Sequence, residues 1–240
     1  MKKIFLILCL VANLFSISAQ GQNVLKTDTI SNGFYILPTQ LVFVEVILSF
    51  EHFIKDKYSL TYSLGYKIPV GKGTELNLPF GMGLEYQHYD PMFNYFAHAV
   101  YLSFAPAYYF SSDRKFYLQP ELFYRYYWFN DQKLNYDPVE RGPKYNSIRS
   151  EKANVFGIKL LAGYNAKVSI SKKLLFNAKF YSGLGFRYKN YSYTNVDNHV
   201  TDDYGNISII PYEKITGSYF APSFHLGVKI GIATKTTKMQ

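Results

Sequence analysis

Large apolar side chains alternate with small or polar ones along most of this 240-residue chain. In one stretch Tyr58, Leu60 and Tyr62 are bulky, whereas the positions between them carry Ser or Thr. Successive side chains of a β-strand point to opposite faces, so the pattern predicts strands with two unlike faces. It recurs in eight segments, which are residues 41–53, 58–68, 76–89, 95–110, 116–129, 153–167, 174–189 and 217–233.

The distribution of charge tests this assignment, because wrongly placed strands would carry charges on both faces. Within the eight segments every charged residue and every glycine occupies an odd position, and the bulky apolar face falls on even positions. An eight-stranded barrel has an interior just wide enough for side chains to fill. The even-numbered side chains are too bulky to fit there, so they must point outward into lipid. The sequence thus predicts an all-β fold, an eight-stranded antiparallel transmembrane β-barrel with a lumen filled by side chains.

The N-terminal residues have the composition of a secretory signal peptide. Lys2 and Lys3 precede an apolar stretch, and the small residues Ser18 and Ala19 precede Gln20. The domains predicted are a signal peptide at 1–19, a periplasmic extension or lead-in strand at 20–40, a barrel at 41–233 and a short periplasmic tail at 234–240. Ten strands are the alternative, if residues 23–40 pair with the barrel and a long loop holds a further strand.

The lengths of the predicted connections give an orientation. With a periplasmic N-terminus, the odd-numbered connections of an outer-membrane barrel face outside and are the longer ones. The long connections at 130–152 and 190–216 are the fifth and the seventh, whereas the short ones at 69–75, 111–115 and 168–173 are even-numbered. We therefore expect long extracellular loops and periplasmic termini. The first turn, at 54–57, is expected on the outer side, with Phe50, Phe53 and Tyr58 around it.

Aromatic residues make up 19% of the chain and gather at the predicted strand ends. Rings with one apolar and one polar end settle at the membrane–water interface, so we interpret His88, His98 and Trp128 as interface anchors. His88 and His98 are expected to face each other, with His52 at similar depth. These imidazoles could instead hold a metal, but we assign no catalytic, cofactor-binding or metal residue.

The charged residues of the odd-numbered face are expected to form a structural network of ion pairs in the lumen, since buried charges need partners. Glu121 with Arg125 or Lys179, and Glu45 with Lys229, are the expected pairs. The excess of basic residues favours, as an alternative, a narrow anion-preferring channel. The network comprises Glu45, Glu51, Glu85, Glu121, Arg125, Lys159, Lys179, Arg187 and Lys229.

Two short patterns carry a resemblance to a known class. They are Asn23–Lys26 and, after a spacer, residues 49–52 with 55–62. The chain resembles the small outer-membrane β-barrel proteins of the Bacteroidota type, which have the architecture of the OmpA, OmpX and OmpW barrels. The resemblance implies contact with outer-membrane lipid and lipopolysaccharide and insertion by the barrel-assembly machinery, and it gives Glu51 no catalytic or binding role.

The expected function is a structural or interaction role through the long extracellular loops, as an accessory subunit of an envelope complex with a protein partner. A narrow anion-preferring channel and a lipid A-modifying enzyme are the alternatives. The basic residues are scattered, although the formal net charge is +9, so nucleic acid is not an expected partner.

Overall fold

A computed structural model describes residues 28–41, 44–69, 97–136, 144–171, 173–201, 207–210 and 213–237. The elements are β1 (Asp28–Ile36), α1 (Pro38–Leu41), β2 (Glu45–Lys55), β3 (Tyr58–Lys67), β4 (His98–Tyr109), β5 (Phe116–Tyr136), β6 (Lys144–Ser169), β7 (Leu174–Thr201), β8 (Ile207–Ile210) and β9 (Glu213–Thr237). In the described ranges, no helix has the length and apolar character needed to cross a membrane.

Eight of the strands form a closed antiparallel ring. Each strand from β1 to β7 pairs with the next, and β9 pairs with both β7 and β1, which closes the sheet. The short strand β8 pairs with residues 198–201 at the end of β7. The prediction of an all-β, eight-stranded antiparallel barrel is therefore confirmed.

The strands of the ring are not the eight that were predicted. β1 lies within residues 20–40, the expected periplasmic extension or lead-in strand, and it pairs with both β2 and β9. β3 pairs directly with β4, from Tyr58 opposite Tyr108 to Lys67 opposite Ala99, so residues 76–89 are not a strand between them. That prediction was wrong because alternation reports the face of each side chain but not which strand lies beside it. Residues 76–89, with Glu85 and His88, lie outside the described residues.

This exchange of strands changes the end at which the early connections lie. The turns at 56–57, 110–115 and 170–173 lie at one end, here called the turn end, with the start of β1 and the end of β9. Arg114 shows how close these turns are, since its Nε donates to the Asp56 carbonyl at 2.7 Å. The connections at 37–44, 68–97 and 137–143 and the one between β7 and β9 leave the opposite end, the loop end.

The positions predicted for the first two turns were consequently wrong. The turn at 56–57 shares an end with 110–115, and Phe50, Phe53 and Tyr58 lie toward that end too. The connection after β3 was predicted to be a short periplasmic turn at 69–75, but β3 ends at the loop end. Because β1 is added before residue 41, the numbering of the connections shifts by one. The loss of 76–89 from the ring shifts the numbering back for the connections that follow β4. The long connections after β5 and β7 therefore share the loop end, as expected.

The two faces of the wall follow the predicted parity. Even-numbered apolar side chains point outward, with Leu226 72% exposed, Leu64 58% and Phe104 39%. Odd-numbered charged side chains such as Glu121 are buried in the lumen. The same parity extends to β1, and the outward direction of the apolar face is confirmed.

The wall of the barrel is much taller on one side. β1 to β4 have between 9 and 12 residues, whereas β5, β6, β7 and β9 have between 21 and 28. The surplus rises at the loop end and is here called the tall wall, formed by β5 from Asn130, β6 up to Lys152, β7 from Asn190 and β9 up to Ser218. Asp131 lies at its base on β5, with a positive φ of 49° next to a shift in register.

Inward glycines make room for aromatic rings in the narrow lumen. Gly163 faces Tyr117 across the β5–β6 pair, and a Cβ at this position would overlap the tyrosine ring. The same cross-strand arrangement occurs at Gly157 with Phe123, at Gly217 with Tyr191 and at Gly227 with Tyr181. The glycines on the odd-numbered face therefore let large rings lie against the inner wall.

The connection between β1 and β2 also contributes to filling the lumen. Leu37 is buried against Ile47 and Tyr101, and α1 follows it directly. A Cβ at Gly227 of β9 would lie 3.0 Å from Thr39 Oγ1 of this helix. In addition to the predicted side chains of the strands, a helical turn that enters from the loop end therefore helps to fill the lumen.

Candidate functional site

A buried glutamate on β2 connects its own strand to four others near the turn end of the lumen. Glu51 of β2 is 0% exposed. One carboxylate oxygen accepts hydrogen bonds from Ser59 Oγ at 2.6 Å and from the Tyr109 hydroxyl at 2.7 Å. The other oxygen accepts from the Tyr35 hydroxyl at 2.9 Å and from Lys179 Nζ at 2.5 Å. We call these five residues the Glu51 cluster, whose donors come from β1, β3, β4 and β7.

Lys179 supplies the positive charge of this cluster from the opposite wall. Its ammonium also donates to the Tyr109 hydroxyl at 2.7 Å. The ammonium lies within 5.7 Å of four ring centroids, those of Tyr35, Phe53, Tyr109 and Tyr117. Aromatic faces attract cations, so the rings stabilise a charge that has left water. Aromatic packing and an ion pair therefore close the lumen at this depth.

Arg114 covers the cluster from the turn end. Its backbone has a positive φ of 53°, and its guanidinium lies 4.3 Å from the centroid of the Phe53 ring. Beside it, the Ser111 hydroxyl donates to the Asp113 carboxylate and holds the pKa of that carboxyl below its ordinary value. The turns thus add a polar layer outside the aromatic one.

Two further ion pairs lie deeper in the lumen. Lys159 Nζ is 2.8 Å from a Glu121 carboxylate oxygen, which also accepts a hydrogen bond from the Tyr101 hydroxyl at 2.5 Å. Toward the loop end, the Arg125 guanidinium is 2.9 Å from the Glu45 carboxylate. The first pair joins the neighbouring strands β5 and β6, whereas the second joins β2 to β5, which are not neighbours in the ring.

The predicted charged residues are in the lumen, but with different partners. Glu45, Glu51 and Glu121 pair with Arg125, Lys179 and Lys159 respectively. The expected pairs of Glu121 with Arg125 or Lys179 were therefore wrong. So was Glu45 with Lys229, since β1 separates β2 from β9 in the ring.

The other predicted members of the network have different surroundings. Lys229 is buried opposite Lys179, and Arg187 lies on the inward face of β7, opposite Gly157 and Ala221. Glu85 lies outside the described residues.

A charged layer closer to the loop end was not predicted, because residues 130–152 were interpreted as a loop. Glu151 lies 3.3 Å from Arg149 and 3.2 Å from Lys189, and it accepts a hydrogen bond from the Tyr127 hydroxyl at 2.8 Å. Arg149 stacks its guanidinium 3.5 Å from the centroid of the Tyr193 ring. The odd positions of these residues continue the parity of the predicted strands, which was the signal available in the sequence.

Outside the barrel, aromatic rings form a belt near the loop end. His98 stacks on Trp128 with ring centroids 5.1 Å apart, and its Nδ1 is 2.8 Å from the Tyr66 hydroxyl. The belt continues over the strands that follow. We call it the loop-end belt, and its members are Tyr66, His98, Trp128, Tyr126, Tyr124, Phe156, Tyr188 and Phe220.

The histidines predicted to come together do not form one group. His52 lies toward the turn end, where its Nδ1 is 2.7 Å from Asn32 Oδ1, whereas His98 lies in the loop-end belt. The expectation of similar depth was wrong because β2 runs in the opposite sense to that assumed. The predicted contact of His98 with His88 stays a prediction, because His88 lies outside the described residues.

No residue set in the described part of the chain has the geometry of a metal site. Within it, no group of three or more His, Cys, Asp or Glu side chains lies close enough to hold a metal ion. In the lumen, Ser223 Oγ lies 2.9 Å from His225 Nε2 on the same strand, and the Phe123 ring packs edge-on to the imidazole. We interpret this pair as part of the packing of the lumen.

A second aromatic belt lies near the turn end. Tyr58 packs on Tyr108 at 5.3 Å between ring centroids, and Phe116 packs on Tyr164 at 5.2 Å. Between the two belts the outward face is apolar. On β9 it extends from Phe220 to Ile232, which are twelve residues apart. Twelve residues span about 40 Å along a strand, or about 30 Å at a tilt of ~40°.

The outward face becomes polar immediately above the loop-end belt. On β7 the residues after Tyr188 are Asn190, Ser192 and Thr194, and on β9 those above Phe220 are Ser218, Thr216 and Lys214. Tyr188 and Phe220 face each other, and so do Asn190 and Ser218. The change in polarity therefore occurs at one level on these two neighbouring strands.

Three comparisons with known proteins found no match. Neither a protein-family model, nor a curated protein, nor a solved structure matches this chain. The interpretation of the barrel therefore depends on its own geometry: a lumen blocked by charged and aromatic layers, and an apolar outer band between two aromatic belts.

Proposed function

We propose that this protein is an integral outer-membrane β-barrel with a closed lumen, which acts through its loop end as an interaction protein of the cell envelope. The observation that carries the proposal is the exposed apolar band between the two aromatic belts. On β9 its height is about 30 Å, close to the hydrocarbon thickness of a typical bilayer. A soluble protein rarely exposes so large an apolar surface, because hydrating it costs free energy.

The proposed orientation places the turn end in the periplasm and the loop end outside the cell. Outer-membrane barrels have short periplasmic turns and long extracellular loops, and both termini of an even-stranded barrel lie in the periplasm. The tall wall then rises beyond the membrane. Its inward face carries Tyr191 stacked on Tyr193, with ring centroids 6.1 Å apart, next to Arg149. All three side chains are buried, so they stiffen the tall wall, and a rigid scaffold that carries long connections supports a role in recognition.

Cysteine labelling in intact cells tests this orientation. The chain has one cysteine, Cys9, so a Cys9→Ala variant gives a cysteine-free background for single-cysteine variants. We expect Asn130→Cys at the base of the tall wall to react with a membrane-impermeant maleimide on intact cells. Lys57→Cys, in a turn at the turn end, should react only after the outer membrane is permeabilised. Equal labelling of both variants in intact cells, or labelling of Lys57→Cys alone, would contradict the proposal.

The Glu51 cluster supports an interaction protein over the alternative of a channel. Its hydrogen bonds and the rings around Lys179 fill the lumen near the turn end, and few ions could pass without breaking them. In planar bilayers we expect the purified barrel to insert without discrete conductance steps. Reproducible anion-selective steps from the wild-type protein would instead support a narrow channel.

A further inference from the structure

A polar cleft opens on the outer face of the tall wall. Its volume is about 300 Å³, and it is lined by Asn130, Ser150, Glu151, Lys152, Ser192, Thr194 and Lys214. Four strands contribute to it, namely β5, β6, β7 and β9. The cleft faces away from the lumen and shares Glu151 of its lining with the ion-pair layers described above.

The strand register places this cleft directly above the loop-end belt. Lys152 lies opposite Trp128 of the belt on one side and opposite Ser192 on the other. Thr194, one outward position higher on β7, lies opposite Lys214. If the barrel spans the outer membrane as proposed, the cleft lies at the depth of the outer-leaflet headgroups, so this inference rests on the proposed function.

The side chains of the cleft are suited to a phosphoryl group. Lys152 and Lys214 are exposed and can each present an ammonium to phosphate oxygens. Hydroxyls and an amide lie between and beside them and can donate further hydrogen bonds. A compact anion with several acceptor oxygens satisfies these donors better than a carboxylate or a neutral sugar hydroxyl does.

The nearby carboxylates leave an excess of positive charge among the described outward side chains. Glu151 turns its carboxylate into the lumen, where Arg149 and Lys189 neutralise it. Asp131 is exposed, and its carboxylate accepts a hydrogen bond from Ser150 Oγ at 3.2 Å. Two lysines therefore face one carboxylate, which is itself hydrogen-bonded.

We infer that this cleft binds the phosphoryl group of an outer-leaflet lipid headgroup. A lipid phosphate held here would fix the depth of the tall wall relative to the bilayer. It would also anchor the β5–β6 and β7–β9 pairs, which extend beyond the apolar band without a hydrophobic environment around them. The site thus joins the membrane surface to the part of the barrel that is proposed to meet partners.

Trp128 reports on this site without a label. It is the only tryptophan of the chain and lies opposite Lys152 in the register. The mature barrel is folded into vesicles of phosphatidylcholine, and Trp128 fluorescence is quenched with dibrominated phosphatidic acid or with dibrominated phosphatidylcholine. We expect phosphatidic acid to associate at this site about tenfold more strongly, since each lysine near an anionic lipid contributes roughly fivefold and Asp131 offsets part of it.

The variants identify the lysines as the cause. Lys152→Gln with Lys214→Gln should reduce the preference to less than about twofold. The matched control, Lys55→Gln with Lys57→Gln, removes two exposed lysines at the turn end and should retain the wild-type preference. An unchanged preference in the first double variant, or no preference in the wild-type protein, would overturn the inference.

Two further measurements show whether the preference comes from the phosphoryl group itself or from the headgroup in the bilayer, and whether the belt contacts lipid. Excess inorganic phosphate that abolishes the preference would show that the phosphoryl group itself is recognised, and a preference that survives it would assign recognition to the headgroup in the bilayer. Quenching of Trp128 by dibrominated phosphatidylcholine alone reports that the belt is in contact with lipid. If that quenching is absent, the proposed membrane location fails, whereas quenching without a preference overturns only the lipid site.

Discussion

Glu51→Gln is expected to lower the free energy of unfolding by about 3–5 kcal/mol, because it leaves the buried ammonium of Lys179 without its anionic partner. The pair is separated by 2.5 Å and is enclosed by rings, so water cannot replace the lost carboxylate. The hydrogen bonds from Ser59 and Tyr109 also lose a charged acceptor, which makes them weaker. Urea unfolding of the barrel in lipid vesicles, followed by Trp128 fluorescence, measures the effect.

A double variant shows whether the uncompensated charge is responsible. Glu51→Gln combined with Lys179→Met removes both charges and should be less destabilised than Glu51→Gln alone, since the desolvation of a lone ammonium disappears. If Glu51→Gln unfolds within about 1 kcal/mol of the wild-type protein, the ion pair does not hold the turn end together. In that case the Glu51 cluster is not what keeps the lumen closed.

Leu226→Arg is expected to destabilise the barrel by about 2–4 kcal/mol in lipid vesicles, the cost of an arginine at the midplane of a lipid-facing strand. Leu226 is 72% exposed and lies halfway between Phe220 and Ile232, the limits of the apolar band on β9. In a soluble barrel an exposed leucine could be replaced at little cost. The size of the effect therefore reports whether this face meets lipid.

Ser218→Arg is the matched control on the same strand and the same outward face. Ser218 lies above the loop-end belt, opposite Asn190, where the surroundings are polar. Near the interface the same arginine costs only about 0–1 kcal/mol. Equal and small effects of the two substitutions would show that the apolar band is not surrounded by acyl chains, and the proposed location would fail.

The inward charges show how far a sequence pattern can be followed into tertiary contacts. The odd parity of Glu51 and Lys179 places both in the lumen, because each strand alternates its side chains. Their pairing, across 128 residues, depends on which strands lie opposite each other in the closed ring. One misassigned strand led to a wrong partner for Glu45, whereas Glu121 pairs with Lys159 directly opposite on the next strand, although the face of each was right.

The loop-end features show the opposite limit. Arg149, Glu151 and Lys152 continue the alternation of β6, but few bulky apolar residues mark their outward neighbours. A strand that rises out of the apolar band has polar side chains on its outer face, so it resembles a loop in composition. The charged layer at Glu151 and the cleft at Lys152 were therefore missed, even though the parity of these residues continues that of the barrel.

Local chemistry along the chain determined the class of fold and the face that each side chain occupies, whereas the count of eight strands held because one strand gained by the ring offset one lost. These properties depend on a period of two, which reflects backbone geometry and needs no knowledge of neighbouring strands. The tertiary structure alone decided that β1 belongs to the ring, that β3 lies against β4 and that the four-residue helix α1 enters the lumen. Closing a ring selects partners by pairing over long separations, and alternation within one strand carries no information about that choice.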